Sequence, residues 1–92
     1  MRTAKKQVVI QNEAGLHLRP AAVFVQTANK HKNCEVFVTR DGTRVNGKSI
    51  MGLVMLAAGK DTTLTIECAG AGAEQALAEL VALVESKFGM DT

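Results

Sequence analysis

Apolar residues recur along the chain with two different periods, and the order of those periods predicts the layout of the fold. Gln7-Val8-Val9-Ile10-Gln11 is short and rich in β-branched residues, the composition of a strand. Asn12-Glu13-Ala14-Gly15 then interrupts it with turn-forming residues. From His17 the spacing becomes helical, with Ala21, Phe24, Val25 and Ala28 on one face. Lys30, His31 and Lys32 crowd the far end, where cations suit the helix dipole. Pro20, the only proline, is tolerated solely in the first turn, where its missing N–H is not needed. That places the helix start within about three residues of His17.

Cys34-Glu35-Val36-Phe37-Val38-Thr39-Arg40 is again rich in strand formers. Asp41-Gly42 is a two-residue hairpin signal, and Thr43-Arg44-Val45-Asn46 returns as the second strand. Ile50 to Leu56 is nearly all apolar and reads as a short helix capped by Ser49 and stopped toward Gly59, with a buried strand as the competing reading. Leu64, Ile66 and Cys68 alternate with Thr63, Thr65 and Glu67, a strand with one face in the core. Ala73, Ala76, Leu77, Leu80, Val81, Val84 and Phe88 mark a last amphipathic helix, closed by Gly89. The order β-α-β-β-α-β-α predicts an α+β domain, an antiparallel sheet with helices packed on one face.

At 92 residues and 9.8 kDa, one domain is expected over 1–92. A composition 47% hydrophobic and 22% charged excludes wholesale disorder. The three aromatic residues are all Phe, so the core is aliphatic and the base-stacking platforms of nucleic-acid binders lack their material. Cys34 and Cys68 match no Cys-x-x-Cys spacing and sit in alternating apolar runs, as buried free thiols do. No stretch approaches the ~18 apolar residues of a membrane span. Basic Met1–Lys6 has no apolar segment behind it, unlike a signal peptide, so a soluble cytoplasmic protein is expected. Charge is uneven: residues 1–48 hold nine Lys/Arg against three Asp/Glu, and residues 49–92 hold two against six. Such segregation favours a positive face for acidic partners or phosphate groups, unless folding mixes the charges again.

Two places carry candidate chemistry. His17 stands at a helix start, where unpaired N–H groups and the dipole favour an anion, and Arg19 adds a guanidinium fork that fits phosphate. An imidazole beside that positive potential keeps a lone pair available, as transient phosphoryl capture requires. The plainer alternative is that His17 caps the helix and Arg19 is merely solvated. His31, between two lysines at a helix end, reads as a surface residue. Ser49 is the second place: an N-cap that would also receive a phosphate, with Lys48 adjacent. Ile50, Met51, Val54 and Met55 lie on a helix too short to bury every side, which reads as a Met-bearing docking patch.

Gly15-Leu16-His17-Leu18-Arg19-Pro20-Ala21 resembles the active-site signature of the HPr family, histidine phosphocarriers of the bacterial phosphoenolpyruvate-dependent phosphotransferase system. Val45-Asn46-Gly47-Lys48-Ser49-Ile50-Met51-Gly52-Leu53 resembles that family's regulatory serine signature, and the similarity runs from about Lys5 to Phe88. The resemblance implies an open-faced β-sandwich, four antiparallel strands with three helices on one side, in a single, monomeric domain. It implies that enzyme I phosphorylates His17 on Nδ1 and that the group passes to a sugar-specific enzyme IIA, with Arg19 steadying it. Leu18, Ala22, Ile50, Met51, Val54 and Met55 would form the docking face, and HPr kinase would act on Ser49 where that kinase exists. Such a carrier is a reactant and not an enzyme, with no cofactor or metal of its own. Leu18 departs from the small or polar residue more usual there, which bears on the choice of partner. Two rivals stay open: a carrier of the nitrogen-related branch, and a regulatory module set at Ser49 and read by a transcriptional regulator. A nucleic-acid-binding role and a membrane role are not expected.

Overall fold

The computed structural model describes residues 2–90. Four strands, β1 (Thr3–Val9), β2 (Cys34–Arg40), β3 (Thr43–Asn46) and β4 (Thr63–Gly70), form one antiparallel sheet in the order β1-β4-β2-β3. Three helices, α1 (Leu18–Asn29), α2 (Ile50–Met55) and α3 (Ala73–Glu85), complete an α+β fold of the predicted order. Alternation decides which face of the sheet is covered. Val8, Val36, Val38, Leu64, Ile66 and the two cysteines turn inward and pack with Phe24, Leu53, Leu80 and Val84 from the helices. Val38 sits at the centre of the register, opposite Val45 on one side and Ile66 on the other. The outer face carries Lys5 opposite Glu67, while Arg44 lies 3.9 Å over the Phe37 ring.

Both thiols are free and buried as expected, and burial, reinforced by nearby Cys34, pushes the Cys68 thiol up to about 11. The hairpin turn is the one the sequence predicts: Asp41 and Gly42 have φ of 47° and 84°, both positive as a type I′ turn needs.

Several boundaries differ from the sequence reading. The first strand begins at Thr3 and not Gln7, because Thr3–Lys6 pair with Ile66–Ala69 although Ala and Lys are poor strand formers. Ile10 leaves the strand but still exchanges backbone bonds with Thr62 (2.9 Å) and Asp61 (2.8 Å), and its side chain is fully buried. The last helix stops at Glu85. Phe88 then enters the core from a short 3-10 turn, Lys87–Gly89, with its own φ at 57°. β4 runs two residues past Cys68 to Gly70.

Helix α2 ends sooner than the Gly59 stop suggests. Ala57 takes the left-handed conformation, φ 52°, immediately after the last helical turn, and its N–H bonds the Val54 carbonyl. A residue with a Cβ is strained there by about 1 kcal/mol. Ala57→Gly is therefore expected to raise stability by about 0.5–1 kcal/mol, with a midpoint a few degrees higher in thermal unfolding.

Candidate functional site

The site is assembled from two loops and the starts of two helices. Asn12 to Gly15 form a tight turn in which the Gly15 N–H bonds the Asn12 carbonyl at 3.1 Å. The Asn12 side-chain amide donates to the Gly15 carbonyl at 2.7 Å. Gly15 has φ 74° and lies against the loop that follows α2: a Cβ here would stand 2.5 Å from the Ala58 carbonyl oxygen and 2.7 Å from Gly59 Cα. The next residue fastens the same contact, Leu16 N–H to Ala58 O at 2.8 Å.

His17 follows as the N-cap of α1, its backbone extended and its carbonyl accepting from Ala21 N–H at 3.0 Å. Its ring is exposed and makes no capping hydrogen bond, so His17 occupies the cap position through its backbone alone. Leu18 and Arg19 have no carbonyl four residues back within the helix, and Pro20 has no N–H, so the first turn directs its donors outward. A shallow groove of about 280 Å³ opens beside the imidazole, walled by Val54, Ala57, Ala58 and Gly59. Arg19 is exposed, and none of the ion pairs among the described residues includes it.

Ser49 caps α2 as expected, its Oγ accepting from Gly52 N–H at 3.1 Å. Lys48 does not serve it. The Lys48 ammonium is clamped on the carbonyls of His31 (2.9 Å) and Cys34 (2.6 Å), closing the turn between α1 and β2. The docking residues divide by exposure: Leu18 (63%), Met51 (67%) and Met55 (77%) are open to solvent, while Ala22, Ile50 and Val54 are half-buried. Val54 alone of the six lines the groove beside His17.

One further expectation is corrected. His31 is no simple surface residue: its Nε2 meets Glu79 Oε1 at 2.8 Å, tying the end of α1 to α3, and its side chain is only 14% exposed. Part of the charge of the basic first half is met by acids of the second half, while Lys5, Lys6, Arg19, Lys30 and Lys32 are exposed and in none of the ion pairs among the described residues. Arg2 pairs with Glu74 at 3.2 Å and Arg44 with Glu67 at 3.5 Å, joining bases of the first half to acids of the second. Sequence reasoning also passed over Arg40, whose guanidinium caps the end of α2 through the Leu56 (2.8 Å) and Ala57 (3.2 Å) carbonyls. Arg40 and Leu56 lie 16 positions apart, so no local pattern in the sequence signals that cap.

Among the described residues, no group of His, Cys, Asp and Glu could hold a metal ion, and no helix is long and apolar enough to cross a membrane. The arrangement exposes an imidazole at a helix N-terminus, with a guanidinium two residues on and the exposed apolar side chains of Leu18 at the start of α1 and Met51 and Met55 on α2.

The sequence model of a family described as "PTS HPr component phosphorylation site" matches residues 4–86. The chain belongs to the HPr family. It is similar to the phosphocarrier protein HPr of Neisseria meningitidis serogroup A, 47% identical over 85 residues, covering 92% of this chain and 94% of the relative. It is also similar to the HPr-like protein Crh of Halalkalibacterium halodurans, 43% identical over 83 residues (90% and 98% of the two chains). Among solved structures it is similar to HPr of Thermoanaerobacter tengcongensis, with TM-score 0.91, 40% identity and coverage of 97% and 99%. The HPr family thus supplies the class: phosphocarriers of the phosphotransferase system, proteins that carry a group and are not catalytic enzymes.

The close approach at Gly15 gives this site its sharpest structural test. Gly15→Ala would force a left-handed alanine against backbone that cannot move independently, costing about 2 kcal/mol or more from conformation and overpacking together. Urea unfolding is expected to show that loss, with weakened exchange protection at the Leu16 amide.

Proposed function

We propose that the protein accepts a phosphoryl group on His17 Nδ1 from phosphorylated enzyme I and passes it to an enzyme IIA. The observation that carries this reading is the exposed, unbonded imidazole at the N-cap of α1, in a chain of the HPr family. On loading, the Nδ1 lone pair attacks phosphorus in line as the bond to the enzyme I donor breaks; on unloading, the acceptor's lone pair attacks and the N–P bond to Nδ1 breaks. Arg19 and the outward N–H groups of Leu18 and Arg19 stabilise the phosphoryl oxygens, and the docked partner excludes water. Leu18, Met51 and Met55 form the centre of the docking surface, with Ala22, Ile50 and Val54 beneath it. The exposed Leu18, beside the nucleophile, restricts which partners fit.

Ser49 is a regulatory phosphorylation site for an HPr kinase where the cell has one. A phosphate there would gain from the helix start and place about −2 charge beside Ile50 and Met51, repelling acidic partners. Its oxygens would rely on backbone N–H groups, since Lys48 is held elsewhere. The relatives named Crh support a second reading, a regulatory module governed at Ser49 and read by a transcriptional regulator. The presence of His17 makes that the subsidiary role. The protein works as a single monomeric domain in the cytoplasm, in the sugar branch or the nitrogen-related branch.

Incubation with phosphoenolpyruvate, magnesium and cognate enzyme I is expected to add one acid-labile phosphoryl group by intact mass, absent in a folded His17→Ala variant. Retention of the label in that variant, or no label on the parent, would sink the carrier reading. Arg19→Lys keeps the charge but loses the planar fork, and transfer is expected to slow by about tenfold or more. An unchanged transfer rate would remove Arg19 from the mechanism.

A further inference from the structure

Asn12 is the one fully buried polar side chain among the described residues, 0% exposed within a core that is otherwise apolar. A carboxamide in that position needs a reason, because an apolar side chain would be buried without a desolvation penalty. Its Nδ2 donates to the Gly15 carbonyl at 2.7 Å, and the Asn12 main-chain carbonyl accepts from the Gly15 N–H at 3.1 Å. Asn12 thus holds Gly15 by both of its peptide faces. Its Oδ1 is buried with no partner in the protein, so the side chain keeps its place through the Gly15 bond alone.

What that bond fixes is the approach to the nucleophile. Gly15 is already pressed on Ala58 and Gly59, and Leu16 is bonded to Ala58, so the turn has little freedom once Asn12 closes it. His17 is the second residue after Gly15, and nothing in its own side chain orients it, since the ring makes no capping bond. The direction of the imidazole, and of the N–H groups that follow it, is inherited from the backbone that precedes them.

We infer that Asn12 is the positioning residue for His17, setting the line of phosphoryl transfer through the Gly15 carbonyl without touching the group transferred. The inference rests on the carrier reading. Asn12→Asp preserves the shape but, ionised, cannot donate to the Gly15 carbonyl, and Asn12→Ala removes the group. Neither alters the exposed surface that a partner meets, because Asn12 has no exposed area. The maximal rate of phosphorylation by enzyme I should therefore fall by about tenfold or more, since misplacement of about an ångström has effects of that order. The KM for this protein should change by less than about twofold, because docking contacts are intact.

A second measurement does not depend on phosphoryl transfer. In 15N spectra of the unphosphorylated variants, the His17 ring signals should shift or broaden, while the His31 ring, bonded to Glu79, serves as an unchanged internal reference. An unaltered maximal rate, a rise in KM alone, or an unaltered His17 ring in a folded variant would overturn the assignment. So would global unfolding of both variants, which would make Asn12 a residue of the fold and not of the site. If the parent protein takes no phosphoryl group, the carrier reading fails separately, and the ring spectra still decide whether Asn12 positions His17.

Discussion

The contact between Gly15 and the Ala58–Gly59 backbone is the constraint on which the functional end of the molecule depends. Two loops far apart in sequence approach so closely that no Cβ fits between them, and the Leu16 to Ala58 hydrogen bond locks the approach. One loop delivers His17 and the start of α1. The other is the tail of α2, the helix that carries Met51 and Met55. The contact therefore fixes the position of the imidazole relative to the exposed face of α2, the pre-set geometry that transfer between docked proteins, as proposed above, would use.

The cations of the chain follow the same logic. Four of them are engaged in holding the fold: Lys48 on two carbonyls of the turn between α1 and β2, Arg40 on two at the end of α2, Arg2 and Arg44 on acidic side chains. Carbonyls at helix ends lack intrahelical donors, so a cation there satisfies both the hydrogen bond and the dipole. Arg19 is outside every ion pair among the described residues, and it stands two residues from His17. Its availability follows from its isolation: a guanidinium committed to a neighbouring carboxylate would have to break that pair before meeting a phosphoryl group.

Beneath the site, an aliphatic core supplies rigidity without polar chemistry of its own. The strand side chains alternate cleanly, both thiols are buried, and the raised Cys68 thiol is kept in its unreactive form. Against that background Asn12 is conspicuous, and its hydrogen bond to Gly15 connects the core to the loop above it.

Local sequence settles the element order, the inward set of Leu64, Ile66 and Cys68, the start of α1 near His17, the Asp41-Gly42 turn and the Ser49 cap. Each of these is a local signal, a period or a residue with restricted backbone options, and local physics is written in local sequence. The two signature stretches carried the family for the same reason, being short and contiguous. The features set by packing are long-range. The first strand extends to Thr3 because β4 pairs with it, α2 ends at a left-handed Ala57 and not at Gly59, and Phe88 reaches the core from outside α3. His31 is tied to Glu79, and Lys48 is turned away from Ser49, across separations that no window of sequence spans. Asn12 looked like one more turn residue until burial showed its side chain facing inward. Hydrogen-bond partners and charge pairs depend on which segments meet, and that is settled when the whole core packs at once.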